Sequence, residues 1–141
     1  MASSYYKPCI ELDRCLILDQ YWEKDTKKWF EGYLIIAEET SYALAECQVG
    51  YAYLEGIGTE KNIEKALYWT TRSAEHGDRD GQCNLAWIYE EGLCGEKDLE
   101  KAKYWYKKSA LQDHDLSIEK CKEYKIELYQ EESFCILLLS S

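Results

Sequence analysis

The chain contains nearly the same fifteen-residue stretch twice. Residues 60–74 read EKNIEKALYWTTRSA, and residues 96–110 read EKDLEKAKYWYKKSA, so the two copies begin 36 residues apart. The register extends backwards without a gap, because Gly56 then falls on Gly92. A fixed period of this length indicates supersecondary units that stack on one another, since one helix pair cannot bury its apolar face alone.

Each copy has the pattern of two helices joined by a glycine turn. In the second copy, Asp78 can cap a helix that runs to about Glu91, and Gly92 and Gly95 then turn the chain. Asp98 can cap the second helix in the same way. The first copy repeats this plan, with a first helix over about 41–55 and a second that begins after Asn62 and ends at about His76. Small residues recur where the second helices would pack closely: Ala66, Ala74, Ala102 and Ala110.

The flanking segments predict further helices of the same antiparallel array. Apolar spacing favours helices over about 9–20 and 27–39 before the clear copies, and over 117–124 and 128–139 after them. We therefore expect one all-α domain, residues 1–141, with about eight helices. Its parts would be a degenerate helix pair (8–40), a first repeat (41–77), a second repeat (78–113) and C-terminal capping helices (114–141).

The run CNLAWIYEEG, followed by EKDLEKAKYWYKKSA, resembles the Sel-one-like (Sel1-like) repeat, a relative of the tetratricopeptide repeat. The resemblance covers about residues 45–115, half of the chain. It implies a right-handed α-solenoid of antiparallel helix pairs that binds other proteins, usually as an adaptor or scaffold. Cys94 and Asp113 depart from the pattern, because each replaces a glycine. The matching residues of the second copy are Leu85, Ala86, Tyr89, Gly92, Asp98, Lys101, Ala102, Tyr104, Trp105, Ser109 and Ala110.

The charge of the chain limits its partners. The formal net charge is −10 and the pI is near 4.7, so DNA, RNA and anionic membrane surfaces would be repelled, whereas a basic protein would be attracted. No secretory signal is visible, and no stretch approaches the ~20 apolar residues that span a bilayer. The apolar run Phe134–Leu139 predicts either a helix end packed on the body or a tail, and it could mediate a weak homo-dimer.

The sequence offers no catalytic constellation. The seven cysteines include no C-x-x-C pair, and we expect them to be reduced, mostly buried groups of a cytoplasmic protein. His76 and His114 fall near the ends of second helices, where a structural role at the helix dipole is expected. No phosphate-binding, dinucleotide or metalloprotease motif is present. We therefore expect no enzymatic activity, no metal and no cofactor.

The best candidates for partner contact lie on the first helices, which line the concave side of such arrays. Tyr51 and Trp87 occupy the same register position, two residues after the expected core residues Val49 and Leu85, so they should form an exposed aromatic ladder. The alternative is that both pack against a neighbouring helix. We also expect Glu46 beside the ladder. The full predicted site is Tyr51, Trp87, Gln48, Asn84, Leu54, Glu90, Glu55 and Glu91.

These features lead to two functional hypotheses. The first is a non-enzymatic interaction module that binds a protein or peptide, basic in character, on an acidic and aromatic concave face. The second is a dedicated inhibitor or immunity protein that neutralises a basic toxin or enzyme, since a short and strongly acidic chain suits that role.

Overall fold

The computed structural model of the chain describes residues 9–128, and these residues form seven α-helices and one short 3₁₀ helix. The predicted all-α array of stacked helix pairs is confirmed. The predicted last helix (128–139), with its Phe134–Leu139 run, lies outside the described residues apart from its first residue. In chain order the elements are α1 (Ile10–Leu18), the 3₁₀ helix (Asp19–Tyr21), α2 (Thr26–Thr40), α3 (Ala43–Glu55), α4 (Ile63–Glu75), α5 (Arg79–Glu91), α6 (Leu99–Ala110) and α7 (Asp115–Glu123).

The helices begin where the polar capping residues predict. The Asn62 side chain accepts a hydrogen bond from the backbone N–H of Lys65 at 3.0 Å, and Asp98 does the same for Lys101 at 3.0 Å. Asp78 caps α5 at 2.7 Å. Each cap satisfies a backbone donor that has no partner inside its helix, so these residues fix the starts of α4, α5 and α6.

The turn between the helices of a pair is built in the same way in both repeats. Gly56 and Gly92 end their first helices in the left-handed conformation, with φ of 72° and 66°. The chain then returns so that the N–H of Asn62 donates to the carbonyl of Tyr53 at 2.8 Å. One period later the corresponding bond, from Asp98 to the carbonyl of Tyr89, measures 3.0 Å. The sequence repeat is therefore also a repeat of the backbone hydrogen bonds that close the turn between the two helices.

The two departures from the repeat pattern have different outcomes. Asp113 keeps the left-handed backbone of its equivalent Gly77, with φ of 62° against 96°. Aspartate is one of the few residues that tolerates this region. At the other position the turn is rebuilt: Gly58 has φ of 70°, but in the second repeat the positive φ moves from Cys94 to Gly95.

The small residues of the second helices let consecutive helices approach closely. Ala66, Ala74, Ala102 and Ala110 are all fully buried. Ser73 of α4 donates from its hydroxyl to the carbonyl of Ala43 at 2.7 Å, and one period later Ser109 donates to the carbonyl of Arg79 at the same distance. These two bonds tie the end of each second helix to the start of the first helix of its own repeat. Half-buried Trp69 and Trp105 fill the space beside the alanines.

None of the helices in the described part of the chain has the length and apolar character needed to cross a membrane.

Candidate functional site

In the two clear repeats, the first helices α3 and α5 form the inner side of the stack. Each helix packs against the next one along the chain, and α3 also packs directly against α5. The corresponding second helices, α4 and α6, share almost no contact. Because the first helices lie closer together than the second helices, the stack curves with α3 and α5 on its concave face.

Tyr51 and Trp87 are accessible on these helices, as the register predicts. Tyr51 is 36% exposed and Trp87 is 38% exposed, whereas Val49 and Leu85, two residues before them, are fully buried. Most of each residue is nonetheless covered, so neither the ladder nor the alternative, in which both pack against a neighbouring helix, describes the two side chains alone. That the two side chains contact a partner stays a prediction.

A groove of about 360 Å³ opens beside Tyr51 at the N-terminal end of this face. Its lining consists of two residues from α3, Gln48 and Tyr51, and three from the preceding helix pair, Asp19, Trp22 and Trp29. Trp22 is 40% exposed and meets Trp29 edge to face, with ring centroids 4.7 Å apart. The aromatic surface therefore extends beyond the predicted ladder into a shaped pocket.

Asp19 is held in place at the groove by two donors. The Tyr33 hydroxyl donates to Oδ1 of Asp19 at 2.7 Å, and the Trp29 indole Nε1 donates to the same oxygen at 3.4 Å. Burial, together with the hydrogen bond to Asp19, raises the pKa of Tyr33 far above its ordinary value, so this hydroxyl remains a donor. Asp19 itself is exposed, and its oriented carboxylate brings negative charge to the groove.

Two of the predicted site residues are wrong, because they are buried. Leu54 is 5% exposed and Glu90 is 9% exposed. Both lie one turn beyond a small residue that faces the neighbouring helix, Gly50 in α3 and Ala86 in α5, so they share its inward direction. Glu46, which was expected beside the ladder, is also fully buried.

Glu90 belongs to a structural network that joins α5, α6 and α7. Its Oε1 accepts from the Tyr106 hydroxyl at 3.2 Å and from Lys120 Nζ at 3.1 Å, and its Oε2 accepts from the Tyr124 hydroxyl at 2.6 Å. A buried carboxylate needs such partners, since leaving it unpaired would cost several kcal/mol. Glu90 therefore holds α7, the last helix of the described residues, against α5 and α6, and it does not face a partner.

The Glu90 network should make stability depend on pH. Burial acts to raise the pKa of Glu90, but the hydrogen bonds from Tyr124, Lys120 and Tyr106 outweigh it and lower the pKa below its ordinary value of 4.5. The unfolded chain then binds this proton more tightly than the folded chain. The contribution of the carboxylate is thus present above about pH 4.5 and is lost as the pH falls through the depressed folded pKa. Urea unfolding at a series of pH values should show a steeper loss below pH 4.5 for wild type than for Glu90→Gln; identical slopes would contradict the network.

Glu46 forms a charged contact between the two helices of the first repeat, and a pair of uncharged glutamines takes its place in the second repeat. In the first repeat its carboxylate accepts from Arg72 Nε at 2.7 Å and contacts Nδ1 of His76. One period later the same positions are occupied by Gln82 and Gln112, and the Gln112 side chain donates to Oε1 of Gln82 at 2.9 Å. Both pairs tie the start of a first helix to the end of the second helix.

The two histidines differ more than the sequence predicts. His76 does follow the last residue of a second helix, as expected, where it meets Glu46. His114, by contrast, caps the start of α7: its Nδ1 accepts from the backbone N–H of Ser117 at 3.3 Å, and its Nε2 lies 3.1 Å from Asp80. Its expected place at a helix C-terminus was wrong, because the loop before α7 is short.

The remaining predicted residues stay available on the concave face. Gln48 lines the groove and is half-buried, as is Asn84, whose amide lies 3.7 Å from the Cys47 sulfur. Glu55 and Glu91 are exposed at the last positions of α3 and α5. They add negative charge to helix ends that are already the negative pole of the helix dipole.

Three groove residues were missed by sequence reasoning: Asp19, Trp22 and Trp29. The sequence predicts Trp29 within the helix over 27–39 but gives it no place in a site. Asp19 lies in the 3₁₀ helix and Trp22 directly follows it, so neither has an equivalent in the clear repeats. The one signal was the occurrence of two tryptophans seven residues apart, since tryptophan is a frequent interface residue, and of the two only Trp22 is exposed.

The four buried cysteines of the described part of the chain are not activated thiols. Burial raises the pKa of Cys15 to about 11, and it also raises the pKa of Cys47, Cys83 and Cys121. These thiols are therefore protonated at neutral pH, and a thiol is a poor nucleophile in that form. Within residues 9–128, no group of three or more His, Cys, Asp or Glu side chains is placed to hold a metal ion.

The chain is similar to several known repeat proteins. The family model described as the Sel1 repeat matches residues 43–78 and 79–114, which together make up just over half of the chain. A putative sel1-like repeat-containing protein, L18, of Acanthamoeba polyphaga mimivirus is 39% identical over 46 residues, which cover 33% of this chain and 8% of that protein.

Two solved structures share the fold. A Sel1 repeat protein from Oxalobacter formigenes has a TM-score of 0.67 and 26% identity, over 75% of this chain and 45% of that one. A protective antigen of uropathogenic Escherichia coli strains that displays an SLR fold has a TM-score of 0.63 and 28% identity, over 70% of this chain and 22% of that one. The chain thus spans less than half the length of each of these relatives.

Proposed function

This chain belongs to the Sel1 repeat family, and from that membership we propose that it is a non-enzymatic module that binds a protein or peptide on its concave face. Members of the family typically mediate protein–protein interaction, and the repeat fold is typically a non-catalytic one. The location of the proposed binding site rests on one observation, the groove lined by Asp19, Trp22, Trp29, Gln48 and Tyr51.

The chemistry of the groove favours a lysine or arginine side chain as its occupant. Aromatic walls attract a cation, an effect worth about 0.5–2 kcal/mol, and they also cover the aliphatic stem of such a side chain. Asp19, oriented by Tyr33 and Trp29, can accept a charge-assisted hydrogen bond from the cationic head. A neutral apolar residue would gain only the aromatic contact.

The charge of the surroundings favours a basic segment rather than a single residue. Glu55 and Glu91 are exposed one period apart on α3 and α5, and the chain carries a net charge of −10. Such a field speeds the encounter with a basic partner and rejects acidic ones, and it weakens as salt is added. The partner would run from the groove past Tyr51 towards Trp87.

A peptide-display experiment tests both the location and the chemistry. A random peptide library selected on the full chain should become enriched in Lys/Arg-containing sequences. The affinity of an enriched peptide, measured by fluorescence polarisation, should fall about 30-fold or more in Tyr51→Ala/Trp87→Ala, since loss of an aromatic hot spot costs ~2 kcal/mol. Asp19→Asn should weaken lysine- and arginine-containing peptides selectively.

The matched control is Tyr68→Ala/Tyr104→Ala. Those two tyrosines are also exposed and also one period apart, but they lie on the second helices. This variant should bind the peptide like wild type, and both double variants should keep the wild-type melting temperature within a few degrees. Enrichment of acidic peptides, or loss of binding in the Tyr68/Tyr104 variant alone, would place the site elsewhere.

A further inference from the structure

The exposed tyrosines of the second helices already hold a cation. Arg72 Cζ lies 5.7 Å from the ring centroid of Tyr68, and one period later Lys108 Nζ lies 5.3 Å from that of Tyr104. A cation at this distance interacts with the negative face of the ring. These two rings are therefore less open to a cation that a partner brings.

The aromatic side chains of the groove beside Tyr51 lack such a cation. Among residues 9–128, no lysine or arginine lies over the rings of Tyr51, Trp22 or Trp29, and none lines the groove. The planes of Trp22 and Trp29 meet at 68°, so the two indoles form a corner, of which Trp22 is the exposed wall. Tyr51 adds a third ring from α3. The described part of the chain thus leaves this aromatic surface open to a cation from outside.

The size and the polar groups of the groove suit one side chain with a cationic head. Its volume of about 360 Å³ lies near the lower end of the ~300–1,000 Å³ that small-ligand sites span. The hydrogen bonds that the Asp19 carboxylate accepts from Tyr33 and Trp29 both end on Oδ1. Within the described residues, Oδ2 of Asp19 is therefore left to accept a hydrogen bond from a ligand.

We propose that this groove binds a dimethyllysine side chain of a partner protein. The inference rests on the proposed function, since it names the chemical form of the lysine that occupies the same groove. An unmethylated ammonium is compact and strongly hydrated, and a ring face offers its N–H groups no acceptor in exchange for water. Dimethylation replaces two of its three N–H donors with methyl groups and keeps the positive charge, so the head can contact the aromatic rings directly.

The single oriented acceptor distinguishes dimethyllysine from trimethyllysine. A dimethylammonium keeps one N–H, which can donate to Oδ2 of Asp19 while both methyl groups contact the rings. A trimethylammonium has no N–H, so it keeps the attraction of the charges but loses this bond. We therefore expect the dimethylated form to bind most tightly.

Titration of capped amino acids into the full chain tests the proposal without a partner protein. The ligands are the Nα-acetyl methylamides of lysine, dimethyllysine and trimethyllysine, and binding is followed by NMR through the indole N–H signals of Trp22 and Trp29. Dimethyllysine should bind about tenfold more tightly than lysine. It should also bind about tenfold more tightly than its neutral analogue, in which CH replaces the side-chain nitrogen. Equal affinities in either comparison, or tightest binding of trimethyllysine, would overturn the proposal.

Two substitutions of Trp22 separate cation binding from apolar contact. Trp22→Phe keeps an aromatic ring and should weaken dimethyllysine by no more than about threefold, whereas Trp22→Leu keeps only apolar bulk and should weaken it about tenfold. Asp19→Asn, whose amide oxygen can still accept the internal hydrogen bonds, should lose the preference for dimethyllysine over trimethyllysine. Tyr68→Ala/Tyr104→Ala should bind dimethyllysine like wild type, because both rings lie outside the groove. An unchanged preference in Asp19→Asn, or lost binding in the tyrosine variant, would contradict the assigned site.

Peptides selected on the chain separate this inference from the proposed function. Each lysine-containing peptide is synthesised with its lysine unmodified and dimethylated. Dimethylation that tightens binding, with the gain lost in Trp22→Leu, supports the inference. Peptides that need Tyr51 and Trp87 but gain nothing from dimethylation would overturn the inference and leave the proposed function standing. Dimethyllysine that binds at Trp22, when no peptide needs Tyr51 or Trp87, would contradict the proposed function alone.

Discussion

Ala102→Arg should leave the chain largely unfolded at room temperature. Ala102 is 0% exposed and packs in the apolar cluster that includes Cys83, Ala86 and Tyr106. A guanidinium at this position brings an unpaired charge into that cluster, at a cost of several kcal/mol, and the added volume costs about 1–3 kcal/mol more. Since the free energy of unfolding of such domains is only about 5–15 kcal/mol, the substitution removes most of it.

Far-UV circular dichroism and thermal melting measure this loss directly. The control is Leu99→Arg, which introduces the same side chain three residues earlier in α6 at an exposed position. It should melt within a few degrees of wild type, since exposed substitutions usually change stability by less than about 0.5 kcal/mol. If Ala102→Arg also melts like wild type, the close contact of α5 with α6 is wrong.

Gly58→Ala should destabilise the chain more than other glycine substitutions with a similar backbone. Gly58 has φ of 70°, and a Cβ there would overlap the carbonyl oxygen of Thr26 and lie 2.8 Å from Cβ of Phe30. The left-handed backbone costs an L-residue about 1–2 kcal/mol, and the collision with the start of α2 adds about 1–3 kcal/mol. Chemical denaturation should therefore show a loss of about 2–5 kcal/mol.

Gly77→Ala separates the two causes. Gly77 also has a positive φ, 96°, but an added Cβ would meet nothing within 4 Å. This variant should lose only the backbone contribution, about 1–2 kcal/mol. Equal losses in the two variants would mean that the turn at Gly58 does not press against α2.

The helix pairs could be predicted because their signals are local and repeated. Three helices are capped by a side chain that accepts a hydrogen bond from a backbone N–H three residues later: Asn62, Asp78 and Asp98. Both partners of each bond therefore lie within the same short stretch of sequence. The exposed side of α3 follows in the same way, since Tyr51 lies two residues after buried Val49 and therefore on another face of the helix.

The site was predicted less well because its decisive partners are remote in sequence. The sequence alone predicts Glu90 to be a surface carboxylate, and only the fold brings Lys120 and Tyr124, 30 and 34 residues away, to its oxygens. The spacing did indicate a buried position, because Glu90 follows buried Ala86 by one helical turn. Trp22 could not be inferred, since it follows a 3₁₀ helix that has no counterpart in the clear repeats.

The paired hydroxyl-to-carbonyl bonds of Ser73 and Ser109 have a consequence for how such a chain changes its length. Donor and acceptor of each bond, Ser73 with Ala43 and Ser109 with Arg79, lie inside one period. An in-frame duplication of residues 43–78 would therefore carry both the donor and the acceptor of this hydrogen bond, together with the capping residue and the glycine turn of the repeat. A duplication of half a period would separate them and leave a buried hydroxyl without its acceptor. Lineages of such proteins should thus lengthen or shorten by whole units, and each gained unit extends the concave face by one more pair of helices.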